Sequence, residues 1–166
     1  LRVQGYNGDV IAHRIGVHDL ALVQALGLIR EAFAYMDGII DPPSSVHRLT
    51  LAALQAPGTE VWAIGRPIDA CMVLTPKPTV LYVGKLAVAE QARRRRLGTI
   101  LLNAAEERAR ELGLGYLELQ TRVELTGNQA AFVAMGFAEV ARTAHDGYAR
   151  VTSITYRRAV RGMSTA

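Results

Sequence analysis

A chain of 166 residues, half of them apolar, with 19 Lys and Arg against 15 Asp and Glu, suits one domain (1–166) with its own core and carries a net charge of +4. No apolar run approaches the ~18 residues of a membrane helix, the opening LRVQGYNGDV has no leader-like apolar core, and numbering starts at Leu1, so natural residues upstream are expected. The lone Cys71 excludes an internal disulfide and points to a reducing, cytoplasmic compartment, and His13, His18, His47 and His145 are too scattered for a metal site, so no metal is expected.

In chain order, residues 10–15 read as a first strand. Asp19 is placed to cap a helix with Leu22, Leu26, Ile29 and Phe33 on one stripe. A loop over 38–43 leads to a second helix, capped by Ser44 or Ser45, running to about Gln55 and stopped by Pro57-Gly58. Residues 60–64 and 68–75 are strands around a tight Gly65-Arg66-Pro67 turn, and Pro76-Lys77-Pro78 breaks the chain before the next element.

Residues 81–112, LYVGKLAVAEQARRRRLGTILLNAAEERAREL, hold most of the information. Apolar residues at 81, 83, 86 and 88, with alanine at 87 and 89, predict a strand buried on both faces. Leu101, Ala105, Ala109 and Leu112 then form a helical stripe, with Glu106 and Arg110 as an outward i,i+4 pair. Between strand and helix stand Arg93, Arg94, Arg95 and Arg96. A helix that opens after such a loop offers free N–H groups and a positive dipole end to an anion. The arginines add forked donors for phosphate oxygens.

Farther on, 116–121 is a short strand and 128–137, NQAAFVAMGF, a short helix closed by glycine. A hairpin follows, with arms at 137–144 and 148–156 and a turn at His145-Asp146-Gly147. Arg157, Arg158 and Arg161 have the look of a frayed basic tail. The predicted order is β-α-α-β-β-β-α-β-α-β-β.

The loop has neither the G-x-x-x-x-G-K-[ST] of a Walker A motif nor a G-x-G-x-x-G turn. Its RRRRLG at 93–98 resembles the [QR]-x-x-G-x-[GA] acyl-coenzyme A loop of the GNAT superfamily of N-acetyltransferases, with Arg96 where the first glycine usually stands. The segment at 128–137 is similar to that family's N-x-A-x-[YF]-x-x-x-G-F block. The resemblance implies an α+β fold: a mixed, mostly antiparallel central sheet, splayed between the strands at 80–89 and 115–121 and flanked by helices. It also implies acetyl-CoA as cosubstrate, with coenzyme A as product.

By the same resemblance, backbone groups of Leu86, Ala87 and Val88 hold the pantetheine and acetyl groups. Arg93, Arg94, Arg95, Arg96, Leu97, Gly98 and Thr99 hold the pyrophosphate, and Asn128 and Phe132 complete the cofactor site. Asn128 also suits a helix N-cap, a role compatible with the first. A backbone N–H near Val88 would stabilise the oxyanion. Where the family often has a basic glutamate on the central strand, this chain has Gly84 and Lys85. Glu118 is the nearest acidic alternative, followed by His13 and His145. The family's tyrosine acid is Phe132 here, which leaves Tyr148 as candidate donor.

Tyr35 and Asp37, with Asp41, are placed to greet a cationic amine on a small molecule or peptide. The activity expected is acetyl transfer to a primary amine by direct attack; the alternative is a coenzyme A-binding regulatory module that has lost catalysis. A homodimer is consistent with the family. Nucleic acid is not an expected partner, because the basic residues are not spread over a face with interleaved aromatics.

Overall fold

The computed structural model describes residues 10–163, so the opening segment read for a leader lies, except Val10, outside them. The elements are β1 (His13–Ile15), α1 (Ala21–Phe33), α2 (Leu51–Leu54), β2 (Glu60–Ile64), β3 (Ala70–Pro76) and β4 (Val80–Val88). They continue with α3 (Leu97–Glu111), β5 (Tyr116–Arg122), α4 (Thr126–Ala134), β6 (Ala138–Thr143) and β7 (Ser153–Ala159), the order expected from the sequence. Short 3₁₀ turns at Ala34–Met36, Ser45–Arg48 and Glu90–Ala92 fill the connections. No helix among the described residues is long and apolar enough to cross a membrane.

The strands form one sheet in the order β1-β2-β3-β4-β5-β7-β6, antiparallel except where α3 carries the chain from β4 to its parallel neighbour β5. That pair holds together only at its start, through Val80–Tyr116, Leu81–Leu117 and Tyr82–Glu118. Beyond Tyr82 the two strands part. A bulge in β4 accompanies the divergence: Cys71 faces Ala87 but Val73 faces Gly84, so Lys85 and Leu86 share one partner position. Lys85 takes the left-handed conformation at φ 51°, and a bulge of this kind bends its strand and re-aims its side chain. The expectation of a β4 buried on both faces therefore holds for its first half. The second half loses cover where β5 leaves it.

Helices α1 and α3 pack on the sheet through their apolar stripes, with Leu22, Ile29, Leu101, Ala105 and Ala109 buried. Leu112, expected on the α3 stripe, is exposed beyond the helix end. Cys71 is fully buried beneath α1, and burial pushes its thiol up to about 12, so it is no nucleophile at neutral pH. The N-cap of α1 is Leu20, one residue later than expected, and Asp19 just ahead of it accepts from the Ala21 N–H at 2.9 Å.

The second helix is much shorter than expected. Ser44 Oγ caps only the 3₁₀ turn, by accepting from the Val46 N–H, and Leu49 and Thr50 are extended. The chain is held open there because Arg30 donates to the Leu49 carbonyl at 3.0 Å, and Thr50 Oγ1 then caps the four-residue α2. Competing side-chain bonds to the backbone outweigh helix propensity.

Helix α4 ends in a complete Schellman motif. Gly136, at φ 88°, donates to the Val133 carbonyl, and Phe137 donates to Phe132, both at 3.0 Å. The Phe132 and Phe137 rings lie 6.3 Å apart across it. The hairpin's second arm begins later than expected, at Ser153. Residues 144–152 form a loop because Tyr148 and Arg150 reach away from the sheet to Asp41.

Two charge readings change on folding. Glu106 is not outward but buried at 1% exposure, and it accepts from the Arg161 backbone N–H and guanidinium. Nor is the basic tail frayed. Arg157 pairs with Glu118, Arg158 donates to the Met135 carbonyl and lies 4.9 Å over Phe137, and Arg161 closes on Glu106 at 2.7 Å.

Candidate active site

The divergence of β4 from β5 opens a cleft of about 770 Å³. Its walls are the far half of β4, the facing half of β5, the end of α1, the segment before α2, the start of α4 and the β6–β7 loop. The volume falls within the range of small-molecule sites.

At one end lies the four-arginine loop. Arg93 lines the cleft, Arg95 reaches Asp69 at 3.5 Å, and Arg94 and Arg96 stand in the left-handed region at φ 66° and 57°. No side chain caps α3, and its first backbone bond runs from Ile100 N–H to the Arg96 carbonyl. The N–H groups of Leu97, Gly98 and Thr99 are thus the orphan donors of the first turn. Leu97 is buried, Thr99 is exposed, and a Cβ at Gly98 would meet only Leu86 Cδ2, at 3.9 Å.

Arg96 occupies the conformation that favours glycine, and a side chain there costs about 1 kcal/mol. Arg96→Gly is therefore expected to be neutral or stabilising by up to ~1 kcal/mol, after the entropy that glycine adds to the unfolded chain. A β-branched Arg96→Val should destabilise. Thermal unfolding of the two variants beside the parent checks this.

Of the other predicted cofactor residues, Leu86, Ala87, Val88, Asn128 and Phe132 all line the cleft. Asn128 is not the N-cap: α4 starts at Thr126, and Asn128 sits one turn in, its Nδ2 donating to Thr121 Oγ1 at 3.4 Å. Phe132 also packs edge-on against Tyr156, with centroids 5.8 Å apart.

The catalytic candidates fare unequally. Glu118 lies outside the cleft wall, its carboxylate accepting from Arg157 Nε at 2.8 Å. His13 sits on the opposite edge strand, remote from the cleft. Tyr148 reaches the rim but donates its hydroxyl to Asp41 Oδ1 at 2.6 Å, a bond that raises the pKa of its phenol. His145 lines the cleft with Nδ1 2.5 Å from Thr152 Oγ1, and burial followed by the fields of Arg122 and Arg48 lowers its pKa.

The acceptor residues expected to greet a cation are occupied or turned aside. Asp37 sits 2.6 Å from His47 Nε2. Asp41 is the hub of a clasp joining the loop before α2 to the β6–β7 loop: it bonds Tyr148 and Arg150, and its N–H donates to Glu124. Tyr35 does line the cleft. Arg48, Lys85 and Arg122 line it too, and sequence reasoning did not single out the two arginines. They lie on three different elements, and no local pattern marks their convergence.

Comparisons agree with this architecture. The family profile described as "Acetyltransferase (GNAT) family" matches residues 51–137, and the chain belongs to that family. Among solved structures, a GNAT-family acetyltransferase from Staphylococcus aureus Mu50 superposes with a TM-score of 0.70 at 15% identity, covering 90% of this chain and 99% of that one. The ribosomal-protein-S18-alanine N-acetyltransferase of Escherichia coli gives 0.70 at 17% identity, over 94% of this chain and 97% of that one. An IAA acetyltransferase from Bacillus cereus ATCC 14579 gives 0.64 at 19% identity, over 90% and 99%. At such identities these likenesses speak for the fold alone. No curated protein matches by sequence.

Proposed function

We propose that this protein is an N-acetyltransferase that moves the acetyl group of acetyl-CoA to a primary amine by direct attack. The observation that carries the reading is the adjacency of a splayed β4–β5 cleft to an uncapped α3 N-terminus and four arginines. The open β4 edge at Leu86, Ala87 and Val88 suits the amide-rich pantetheine arm. The N–H groups at Leu97, Gly98 and Thr99, with Arg93–96 around them, suit the pyrophosphate and a further phosphate. Asn128 and Phe132 face the same arm from α4. Acetyl-CoA supplies an activated thioester; the protein orients it and offers a backbone N–H near Val88 to the developing oxyanion.

An alkylammonium, with a pKa of about 10, must lose a proton before it attacks. In this reading His145 accepts that proton. With its Nδ1–H donated to Thr152, the Nε2 lone pair is free, and its lowered pKa keeps the ring neutral at pH 7. No residue is assigned as acid, since Phe132 has no hydroxyl and a thiolate with a parent pKa of about 8.5 leaves unaided. The reading includes a cytoplasmic location and one domain over 1–166.

The test is calorimetric titration with acetyl-CoA beside desulfo-coenzyme A and ATP, followed by thiol release with an amine panel. Micromolar binding of both coenzyme forms, little of ATP, and amine-dependent thiol release are expected. Binding without thiol release would favour the regulatory-module alternative, and absence of binding would remove the cofactor assignment.

A further inference from the structure

The acceptor half of the cleft is walled by cations without carboxylate partners. Lys85 leaves the β4 bulge half-buried, its Nζ 2.5 Å from Ser45 Oγ, and among the described residues no carboxylate pairs with it. Arg48 on the 3₁₀ turn likewise shows no ion pair among the described residues. Arg122, at the end of β5, spends its Nη1 and Nη2 on the carbonyl oxygens of Pro42 and Pro43, at 2.8 and 3.1 Å.

These groups feel one another. Behind the effect of burial, Arg122 and Arg48 both lower the pKa of Lys85, and both act on His145 in the same sense. Glu124 and Asp41 act against burial on Arg122, but among the described residues no carboxylate forms an ion pair with Lys85, Arg48 or Arg122. Asp41 and Glu124 are taken up in the rim clasp, and only Asp146 stands on the cleft wall itself. Lys85 and Arg122 are partly buried and Arg48 is exposed; a partly buried cation without a carboxylate is costly unless an anion arrives to complete it.

That anion is not a phosphate of the coenzyme, whose proposed cradle is the 93–99 loop at the other end. The cluster sits on the β4 bulge, the end of β5 and the segment before α2, the walls left for the acceptor. A lysine-rich or polyamine substrate would meet like charge there. Lys85 and Val88 are three residues apart, roughly 10 Å of strand, so an amine and an anion separated by a few bonds span the distance.

We infer that the acceptor is a small amine carrying a carboxylate or phosphate group, held by Lys85 and Arg48 with Arg122 behind them. This rests on the acetyl-transfer reading above and adds the chemical class of its acceptor.

The experiment compares matched amines: amino acids beside their amides, and O-phosphoethanolamine beside ethanolamine. With acetyl-CoA, the anionic member of a pair should show at least tenfold higher kcat/KM, and whichever pair shows it tells carboxylate from phosphate. The advantage should vanish in Lys85→Met/Arg48→Gln while calorimetry shows acetyl-CoA affinity retained. Equal or better turnover of the neutral members, or an advantage that survives the double variant, overturns the inference.

A second arm does not depend on the panel holding a good acceptor. Inorganic phosphate should raise the Tm of the parent, and the rise should be smaller in Lys85→Met/Arg48→Gln, where only the loop at 93–99 is left to bind it. A phosphate shift unchanged in the double variant sinks the anion site. Failure to bind acetyl-CoA would count against the transferase reading instead, leaving the phosphate arm to judge the cluster by itself.

Discussion

Replacing His145 with alanine is expected to lower kcat/KM for acetyl transfer by about a hundredfold or more at pH 7, the size of effect usual for a positioned general base. The shape of the pH profile is the sharper result. With His145 present, the productive pair is neutral imidazole and ammonium. The rate should rise as the ring loses its proton, with an inflection below the ordinary 6.5 because the folded pKa is lowered, and then level off.

Without His145 only the free amine reacts. The rate should then climb about tenfold per pH unit toward the amine's own pKa near 10, closing on the parent enzyme at high pH. A parallel loss at every pH would mean that His145 shapes the loop without moving a proton. His145→Gln, which keeps a hydrogen-bonding group beside Thr152, should behave like the alanine variant in its pH profile. A rate-pH series on the three proteins with one amine decides the matter.

Glu106→Gln is expected to be the costliest single polar substitution for stability. The carboxylate accepts from the Arg161 N–H and guanidinium, and Arg110 and Arg158 lie farther off, at 3.8 and 4.0 Å. Its side chain is almost inaccessible, whereas that of Arg161 is 76% exposed, so solvent screening holds the loss to about 2 kcal/mol. For a chain of this size that is a fall in Tm of about 4–8 °C.

The bonds with Arg161 hold the Glu106 carboxyl down at about 2, against 4.5 for an ordinary glutamate. A depressed folded pKa stabilises above the unfolded value and loses that stabilisation as pH falls. Stability should therefore decline as the pH drops from about 4.5 toward 2, and this part of the acid dependence should be missing in Glu106→Gln. Denaturant titrations at pH 7 and pH 3 measure both effects.

These two residues also show where reading a sequence stops. His145 stood in a turn beside Gly147, one of four scattered histidines. Glu106 was paired with Arg110 from helical spacing, which is correct as geometry and wrong as environment. An i,i+4 rule knows the helix but not what lies on top of it, and here Arg161, 55 residues away, covers the glutamate. Glu118 failed for a similar reason: a neighbouring strand brought Arg157 to it. Tyr148 and Asp41, each considered for different work, bond to each other across 107 residues.

What the sequence determined by itself are the features that local physics decides. The order of strands and helices follows from apolar periodicity, the end of α4 from Gly136, the basic loop ahead of α3 from four consecutive arginines, and the family from two short motifs. Tertiary structure alone decided the rest: the bulge that turns Lys85 into the cleft, the parting of β4 from β5 after Tyr82, the shortness of α2, and the cluster of Lys85, Arg48 and Arg122. Backbone preference and side-chain period act over a few residues and can be read along a line. Charge pairing and cleft chemistry depend on which distant segments meet, and that is set only when the whole sheet has closed on its core.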